Sequence, residues 1–305
     1  MTYYIDYKEN GQKKSLKRIV DKMFYRFSVI NIDNNKECIY INKKYINQSA
    51  YKKINKYLIK HNLDILKSNA LIVKDIEIIE CINHIKYVPR EKYVMKANLQ
   101  GILDYIEKVL NIDLRNECVH LTMQDENNKE ILIGILDWFK CINIATTRIG
   151  YMRRLEKSIV NRNDAVISIS NNKRKALKRA KILINLDFDN ELINEFCINR
   201  NCLIINLKNS QICLKSSFQG SIIDSIQIDF KNRYRDYINK DKYDKVNLYN
   251  SFIQDFSYKD AVNCIESDNC KIMDLIGIRG IIPNDEIINN YTNSSIKLDK
   301  TRKMD

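Results

Sequence analysis

Five short runs decide the fold: CVHLT at 118–122, INIAT at 142–146, AVISI at 165–169, ILINL at 182–186 and CLIIN at 202–206. Each run is rich in aliphatic and β-branched residues, and a segment with helical periodicity follows each of the first four. Strands that alternate with helices in this way are typical of a parallel α/β sheet. Ligands of such sheets bind at the carboxyl ends of the strands. The pattern therefore predicts a fold and the place of a binding crevice.

The composition indicates a globular protein of two domains, or of two domains and a small appendage. The chain has 305 residues, of which 45% are hydrophobic and 29% are charged, and this length can bury a sizeable core. No apolar run approaches the length of a membrane span, and the N-terminal residues become charged too soon for a signal peptide. We therefore expect a cytoplasmic protein without membrane contact.

The net charge of +13 permits a nucleic-acid partner. However, the abundance of Ile, Asn, Lys and Tyr, with only 7 Gly and 2 Pro, is typical of an AT-rich genome. Such a genome adds lysines to solvated surfaces without regard to function. We therefore favour solvated lysines over a nucleic-acid surface, and nucleic-acid binding stays an alternative.

The nine cysteines and three histidines do not form a recognisable metal motif. There is no CxxC pair, and His61, His84 and His120 are not paired on a helix face. Several cysteines lie in apolar runs, where Cys behaves as a small hydrophobic residue. The odd number of cysteines and the missing signal peptide also argue against a disulfide framework. The sequence therefore predicts neither a zinc site nor a disulfide framework.

The first hundred residues indicate a smaller α/β domain. Helical periodicity predicts helices from Leu16 to Phe27 and from Ser49 to His61. Four β-rich runs predict strands at Tyr3–Asp6, Val29–Ile32, Cys38–Ile41 and Ala70–Val73. A helix predicted from Ala97 to Leu110, after a break near Pro89, begins the next domain.

After residue 210 the alternation of strands and helices stops. Ser221 to Phe230 alternates as a strand does, and the remainder is predicted to be helical with turns at Gly277, Gly280 and Pro283. The last stretch, Asn289 to Asp305, has little to bury and is predicted to fray. The predicted parts are a smaller α/β domain over 1–96, a parallel-sheet domain over 97–215 and a C-terminal extension over 216–305.

The turn after the first strand of the sheet lacks the loop of a dinucleotide-binding protein. Such a loop carries G-x-G-x-x-G, which lets the backbone approach a pyrophosphate at a helix N-terminus. Residues 122–129 read TMQDENNK, with no glycine and with two acids, Asp125 and Glu126. Side chains and negative charge thus stand where phosphates would have to fit.

The turn after the second strand offers a different kind of anion contact. Thr146, Thr147 and Arg148 occupy the place where NADP enzymes often hold the 2′-phosphate with a hydroxyl and an arginine. The alternative is a solvated helix start, with a threonine as N-cap and the arginine exposed. We favour the alternative, because no glycine loop accompanies this turn.

The turns after the third and fourth strands add the remaining candidates. Ser168 and Ser170 precede the basic segment Lys173 to Arg179, which suits a phosphate or a nucleic-acid backbone, although no aromatic residue is interleaved for stacking. A solvated helix face is the favoured alternative. Asn185 and Asp187, at the end of the fourth strand, can face a ligand, and a carboxylate there can act as an acid or base, but a structural role is the favoured alternative. Helix capping accounts for Asp189.

The order of parts resembles the shikimate dehydrogenase-like group of NAD(P) enzymes over residues 97–207. Asn98-Leu99-Gln100-Gly101 is similar to the connecting helix of that group, and Leu177 to Asn185 is similar to its fourth-strand motif. Arg148 resembles its NADP discriminator. The resemblance implies a Rossmann-like domain preceded by a smaller α/β domain, with NADP as the cofactor. The group's glycine loop and its catalytic lysine and aspartate motifs are missing, and the segment SNNKRKALKRAKILIN is also similar to clostridial proteins without an assigned activity.

Three functions stay open at this point. The leading one is a module without intact catalytic motifs that binds an anionic ligand, such as a nucleotide, or a protein partner. Seven residues are predicted to line its crevice: Thr146, Thr147, Arg148, Ser168, Ser170, Asn185 and Asp187. The second is an NAD(P)-dependent oxidoreductase. The third is nucleic-acid binding through the basic helices from Arg148 to Lys181.

Overall fold

The computed structural model describes residues 2–6, 27–33, 36–41, 70–73, 91–159, 165–231, 245–253 and 256–302. The chain divides into two compact units. The first is Met1–Val94 with Phe230–Ser257, and the second is Met95–Asp229 with Tyr258–Asp305. The domain boundaries expected after residues 96 and 215 stay predictions.

The first unit contains a sheet of four strands, which confirms all four strands predicted there. They are β1 (Thr2–Asp6), β2 (Phe27–Asp33), β3 (Lys36–Ile41) and β4 (Ala70–Val73). The order is β2-β3-β1-β4. β1 pairs in parallel with β3 and β4, while β2 and β3 are antiparallel. The predicted helices at 16–27 and 49–61 lie outside the described residues, except for Phe27, which begins β2.

The second unit contains the predicted parallel sheet, and the fold is Rossmann-like. Its elements follow two helices, α1 (Glu91–Ala97) and α2 (Leu99–Leu110). They are β5 (Cys118–Thr122), α3 (Lys129–Trp138), β6 (Cys141–Ala145), α4 (Ile149–Ile159), β7 (Val166–Ser170), β8 (Ile182–Asn185), α5 (Asn190–Glu195), β9 (Leu203–Asn206) and β10 (Ile222–Ile223). The strand order is β10-β9-β8-β5-β6-β7, and every pair is parallel.

The apolar runs become the inner strands of this sheet because both of their faces are covered. Every residue of β8 and β9 is buried, as expected for parallel strands with cover on both sides. The edge strand β7 differs, since Val166 is 67% exposed. The core of the second unit is thus centred on β5, β8 and β9.

The prediction of a helix in the third crossover, between β7 and β8, is wrong, because turns connect these two strands. Residues 173–179 form successive turns. The Asn172 side-chain oxygen accepts hydrogen bonds from the backbone N–H groups of Arg174 and Lys175, at 3.0 and 3.1 Å, and such local bonds compete with a helix. Leu177 and Ala180 are nevertheless fully buried, as the predicted apolar stripe requires.

The C-terminal part also departs from the prediction. The helices α6 (Lys245–Ile253) and α7 (Tyr258–Ser267) are followed by a hairpin instead of more helix. β12 (Lys271–Gly277) pairs antiparallel with β11 (Ser225–Asp229) and with β13 (Gly280–Ile281). Gly280 has a φ of 106°, a conformation that favours glycine.

The tail contributes a helix, and the fraying expected there stays a prediction. α8 spans Asn284–Arg302. The side chains of Ile287, Tyr291 and Ser294 are buried. The tail has few apolar residues, so its sequence did not indicate this burial. None of the described helices combines the length and the apolar sequence needed to cross a bilayer.

Candidate functional site

The crevice lies where the strand order reverses. The chain runs outward from β5 to β6 and β7, and then returns to place β8 on the other side of β5. At such a switch point the loops after the two central strands diverge and leave space for a ligand. The residues after β5 and β8 therefore form the candidate site.

A buried chain of polar side chains joins the carboxyl ends of three strands. Thr122 Oγ1 donates to Asn185 Oδ1, Asn185 Nδ2 donates to Asn206 Oδ1 at 2.9 Å, and Asn206 Nδ2 donates to Asp224 Oδ1 at 2.7 Å. Asn185 also accepts from the Phe188 N–H and donates to its carbonyl, at 3.1 and 3.0 Å. Asn185 is fully buried, and both of its amide atoms are bound within the protein.

The carboxylate of Asp187, a residue of the turn after β8, lies against the turn between β5 and α3. Its carboxylate accepts hydrogen bonds from the backbone N–H of Gln124 at 2.8 and 2.9 Å, and from that of Asp125 at 2.8 Å. The Asn128 side-chain amide donates a further bond at 3.0 Å. Rossmann domains that bind dinucleotides direct backbone N–H groups of this turn at a pyrophosphate. Here a carboxylate of the protein satisfies them.

Charges of both signs meet around this carboxylate. Burial raises the pKa of Asp187, although its hydrogen-bond donors and the charge of Lys208 oppose the rise. Lys96, half-buried at the end of α1, has a lowered pKa. The largest cause is burial; Asp187 and Asp125 oppose the shift, and Lys208 adds to it.

Sequence reasoning missed the two lysines of this cluster. Lys208 follows β9, so the rule that selected residues after the earlier strands would have found it as well. Lys96 precedes the sheet by more than twenty residues, and no local pattern marks it. Among the described residues, no group of three or more His, Cys, Asp or Glu side chains is arranged to hold a metal ion.

Gln124 links the turn after β5 to the turn after β6. Thr146 is fully buried, and its Oγ1 donates to Gln124 Oε1 at 3.2 Å and accepts from the Arg148 N–H at 3.0 Å. Gln124 Nε2 donates to Thr147 Oγ1 at 2.8 Å. Arg148 is exposed; its Nη1 donates to the Gln124 carbonyl at 3.3 Å, and its guanidinium lies 5.4 Å from the centre of the Tyr151 ring.

The two predicted serines lie at different positions along β7. Ser170 ends the strand; its Oγ accepts from the Asn172 N–H at 3.1 Å, and its carbonyl accepts from the Thr146 N–H at 3.0 Å. Ser168 is exposed in the middle of the strand, opposite Asn143. The structure thus brings six of the seven predicted residues to one sheet edge and leaves Ser168 two residues away from it. Their contact with a ligand stays a prediction.

A disulfide links the amino-terminal ends of β5 and β6, at the edge opposite the crevice. Cys118 and Cys141 are partners in register and 23 residues apart in sequence. Asn143 Nδ2 lies 3.1 Å from Cys118 Sγ and 3.3 Å from His120 Nε2. Burial lowers the pKa of His120 to about 4. The sequence argued against a disulfide framework, and only the strand pairing reveals this bond.

Comparison with known proteins identifies no family. No family model and no curated protein matches the chain. Among solved structures, L-tryptophan dehydrogenase from Nostoc punctiforme is 11% identical, with a TM-score of 0.33. The alignment covers 96% of this chain and 87% of the dehydrogenase chain. A mitochondrial ornithine carbamoyltransferase from Coccidioides immitis is 9% identical, with a TM-score of 0.29. The alignment covers 88% of this chain and 82% of the carbamoyltransferase chain. Likenesses at this level carry no argument about function.

Proposed function

We propose that the protein is a Rossmann-like binding module whose crevice takes a compact anionic ligand instead of a dinucleotide. The contact of the Asp187 carboxylate with the backbone N–H groups of Gln124 and Asp125 supports this proposal. A pyrophosphate in the usual place requires those donors. A fixed carboxylate occupies those donors, so a pyrophosphate cannot bind them.

The cations around the crevice support the choice of a small anion. Lys96 and Lys208 are half-buried and lie within electrostatic range of each other. A carboxylate or phosphate group that contacts both ammonium groups would form charge-assisted hydrogen bonds, which are stronger than neutral ones. Such a ligand would also relieve the repulsion between the two lysines.

The test measures urea unfolding of the full chain with inorganic phosphate, with small mono- and dicarboxylates, and with NADPH. A ligand that binds only the folded state raises the free energy of unfolding as its concentration rises. We expect saturable stabilisation by at least one small anion, and its loss in Lys208→Gln. Lys259→Gln, which removes an exposed lysine of α7, is the matched control and keeps the response. A chain that no small anion stabilises refutes the proposal.

The second candidate is an NAD(P)-dependent oxidoreductase. Two observations favour it: the strand order is that of dinucleotide-binding domains, and Lys96 has a lowered pKa, which suits a group that transfers protons. Saturable stabilisation by NADPH that Arg148→Gln removes would decide for the oxidoreductase and against the module.

A further inference from the structure

A second site lies at the opposite edge of the sheet from the crevice. A cavity of about 1120 Å³ opens beside the turn segment before β8 and the loop before β9. Arg179 and Arg200 line it, and they precede the first residues of these two strands, Ile182 and Leu203. Typical small-molecule sites span about 300–1,000 Å³. The cavity is thus large enough for a ligand of nucleotide size.

Five cations surround this cavity. They come from three separate segments of the chain: Lys175, Lys178, Arg179, Arg200 and Lys215. Among the described residues, no carboxylate forms an ion pair with any of the five. The carboxylate of the lining, Glu195, is bound to Lys173 at 2.7 Å. Like charges that converge without counter-ions create a positive potential, which attracts an anion of several charges.

The wall of the cavity is apolar and partly aromatic. Ile193 and Phe196 belong to the core cluster, and Phe218 packs against that cluster while it stays half-buried. Gly220 makes this possible, because a Cβ there would lie 2.7 Å from the Phe218 ring and 2.1 Å from the Cys202 carbonyl oxygen. Aromatic faces accept the flat ring of a base by stacking.

The turn structure of residues 173–179 directs the cations to the cavity. The Cys197 N–H donates to the Lys173 carbonyl at 2.7 Å, and the Asn199 N–H donates to the Leu177 carbonyl at 3.2 Å. A regular helix would have displayed these basic residues as a stripe, which is the arrangement that tracks a nucleic-acid backbone. Here they converge on one cavity together with Arg200 and Lys215, which come from later in the chain.

We propose that this cavity binds a nucleoside polyphosphate, with the phosphates on the cations and the base against the apolar wall. The site is independent of the crevice and of the function proposed for it. It also supplies a half-buried aromatic side chain, Phe218, which the basic segment lacks in sequence.

The test is equilibrium dialysis of the full chain with ADP, pyrophosphate and adenosine. We expect ADP to bind more tightly than either fragment, because each fragment makes only part of the contacts. Arg179→Gln and Arg200→Gln should each raise the Kd for ADP about tenfold, as expected for one lost hydrogen bond to a charged group. Arg174→Gln removes the same charge from the same segment, but Arg174 does not line the cavity, so its Kd should stay that of the wild type.

Three results would overturn this proposal. The first is the absence of ADP binding by a folded wild type. The second is an equal loss of affinity in Arg174→Gln and Arg179→Gln, which indicates diffuse charge. The third is tight binding of single-stranded RNA that ADP does not displace, which indicates a nucleic-acid surface. Lys208 does not line the cavity, so Lys208→Gln should leave ADP binding unchanged, and the outcome is separate from that at the crevice.

Discussion

Replacing Asp187 by alanine would remove the internal anion of the β5–α3 turn. The substitution leaves three donors without their acceptor: the backbone N–H groups of Gln124 and Asp125 and the side-chain amide of Asn128. A net hydrogen bond contributes about 1 kcal/mol, so the gross loss is about 3 kcal/mol. The substitution also removes the cost of burying the Asp187 carboxylate, which is seen in its raised pKa, and this offsets part of the loss. We expect the free energy of unfolding to fall by about 2 kcal/mol.

Sulfate should then restore the stability of the Asp187→Ala variant. The turn regains free N–H donors, which form an anion site. A sulfate concentration of about 100 times the Kd would return about 2.7 kcal/mol, comparable to the loss. The assay is urea unfolding at constant ionic strength, with sulfate exchanged for chloride. The response of the wild type, which keeps Lys96 and Lys208, is the baseline, and Asp187→Ala should show a further saturable stabilisation above it.

Asp189→Ala is the control for this experiment. It also removes a carboxylate that accepts a backbone hydrogen bond, here from the Leu192 N–H at 2.8 Å, but it opens no cradle of several donors. Its response to sulfate should therefore equal that of the wild type. A response of Asp187→Ala no larger than those of the wild type and Asp189→Ala would refute the assignment of Asp187 as the internal anion.

Three further predictions concern stability. Asp189→Ala should lower the free energy of unfolding by about 1 kcal/mol, as loss of an N-cap does, measured by urea unfolding. Burial lowers the pKa of His120 to about 4 in the folded protein. Between about pH 6.5 and about pH 4 the unfolded chain therefore binds a proton on His120 that the folded protein does not bind. The free energy of unfolding should fall by up to about 3 kcal/mol as the pH drops through this range. His120→Leu should flatten this pH dependence of the urea midpoint. Reduction of the Cys118–Cys141 disulfide, which spans 23 residues, should cost about 3 kcal/mol if loop entropy dominates, and Cys141→Ser should make the urea midpoint insensitive to reductant.

The sheet could be predicted from the sequence because its signals are local. Apolar runs of four or five residues become strands, and the predicted carboxyl ends of the strands agree with the observed ones to within one residue. The helix predicted for the third crossover was wrong for a local reason as well, since the Asn172 side chain competes for the N–H groups of Arg174 and Lys175. In the C-terminal part, apolar residues that fitted a helix form β12 instead, because β11 supplies an edge to pair with.

The contents of the crevice could not be predicted, because they depend on contacts between distant segments. Gln124 and Asp187 are 63 residues apart, and neither residue has a pattern that marks the other. The same holds for Lys96 and for the Cys118–Cys141 pair. The strand order brings these groups together, and a single sequence does not state which strands become neighbours.

The absence of glycine from residues 122–129 agrees with the position of the Asp187 carboxylate. Glycine in the first turn of a dinucleotide-binding domain allows the backbone to approach a pyrophosphate. When a carboxylate of the chain satisfies the same N–H groups, no bulky anion has to approach, and side chains such as that of Gln124 are tolerated. Gln124 then bonds to Thr146 and Thr147 and links this turn to the turn after β6. The strand order of a dinucleotide-binding domain is thus present without a glycine loop, and a carboxylate of the protein binds the N–H groups that such a loop directs at a phosphate.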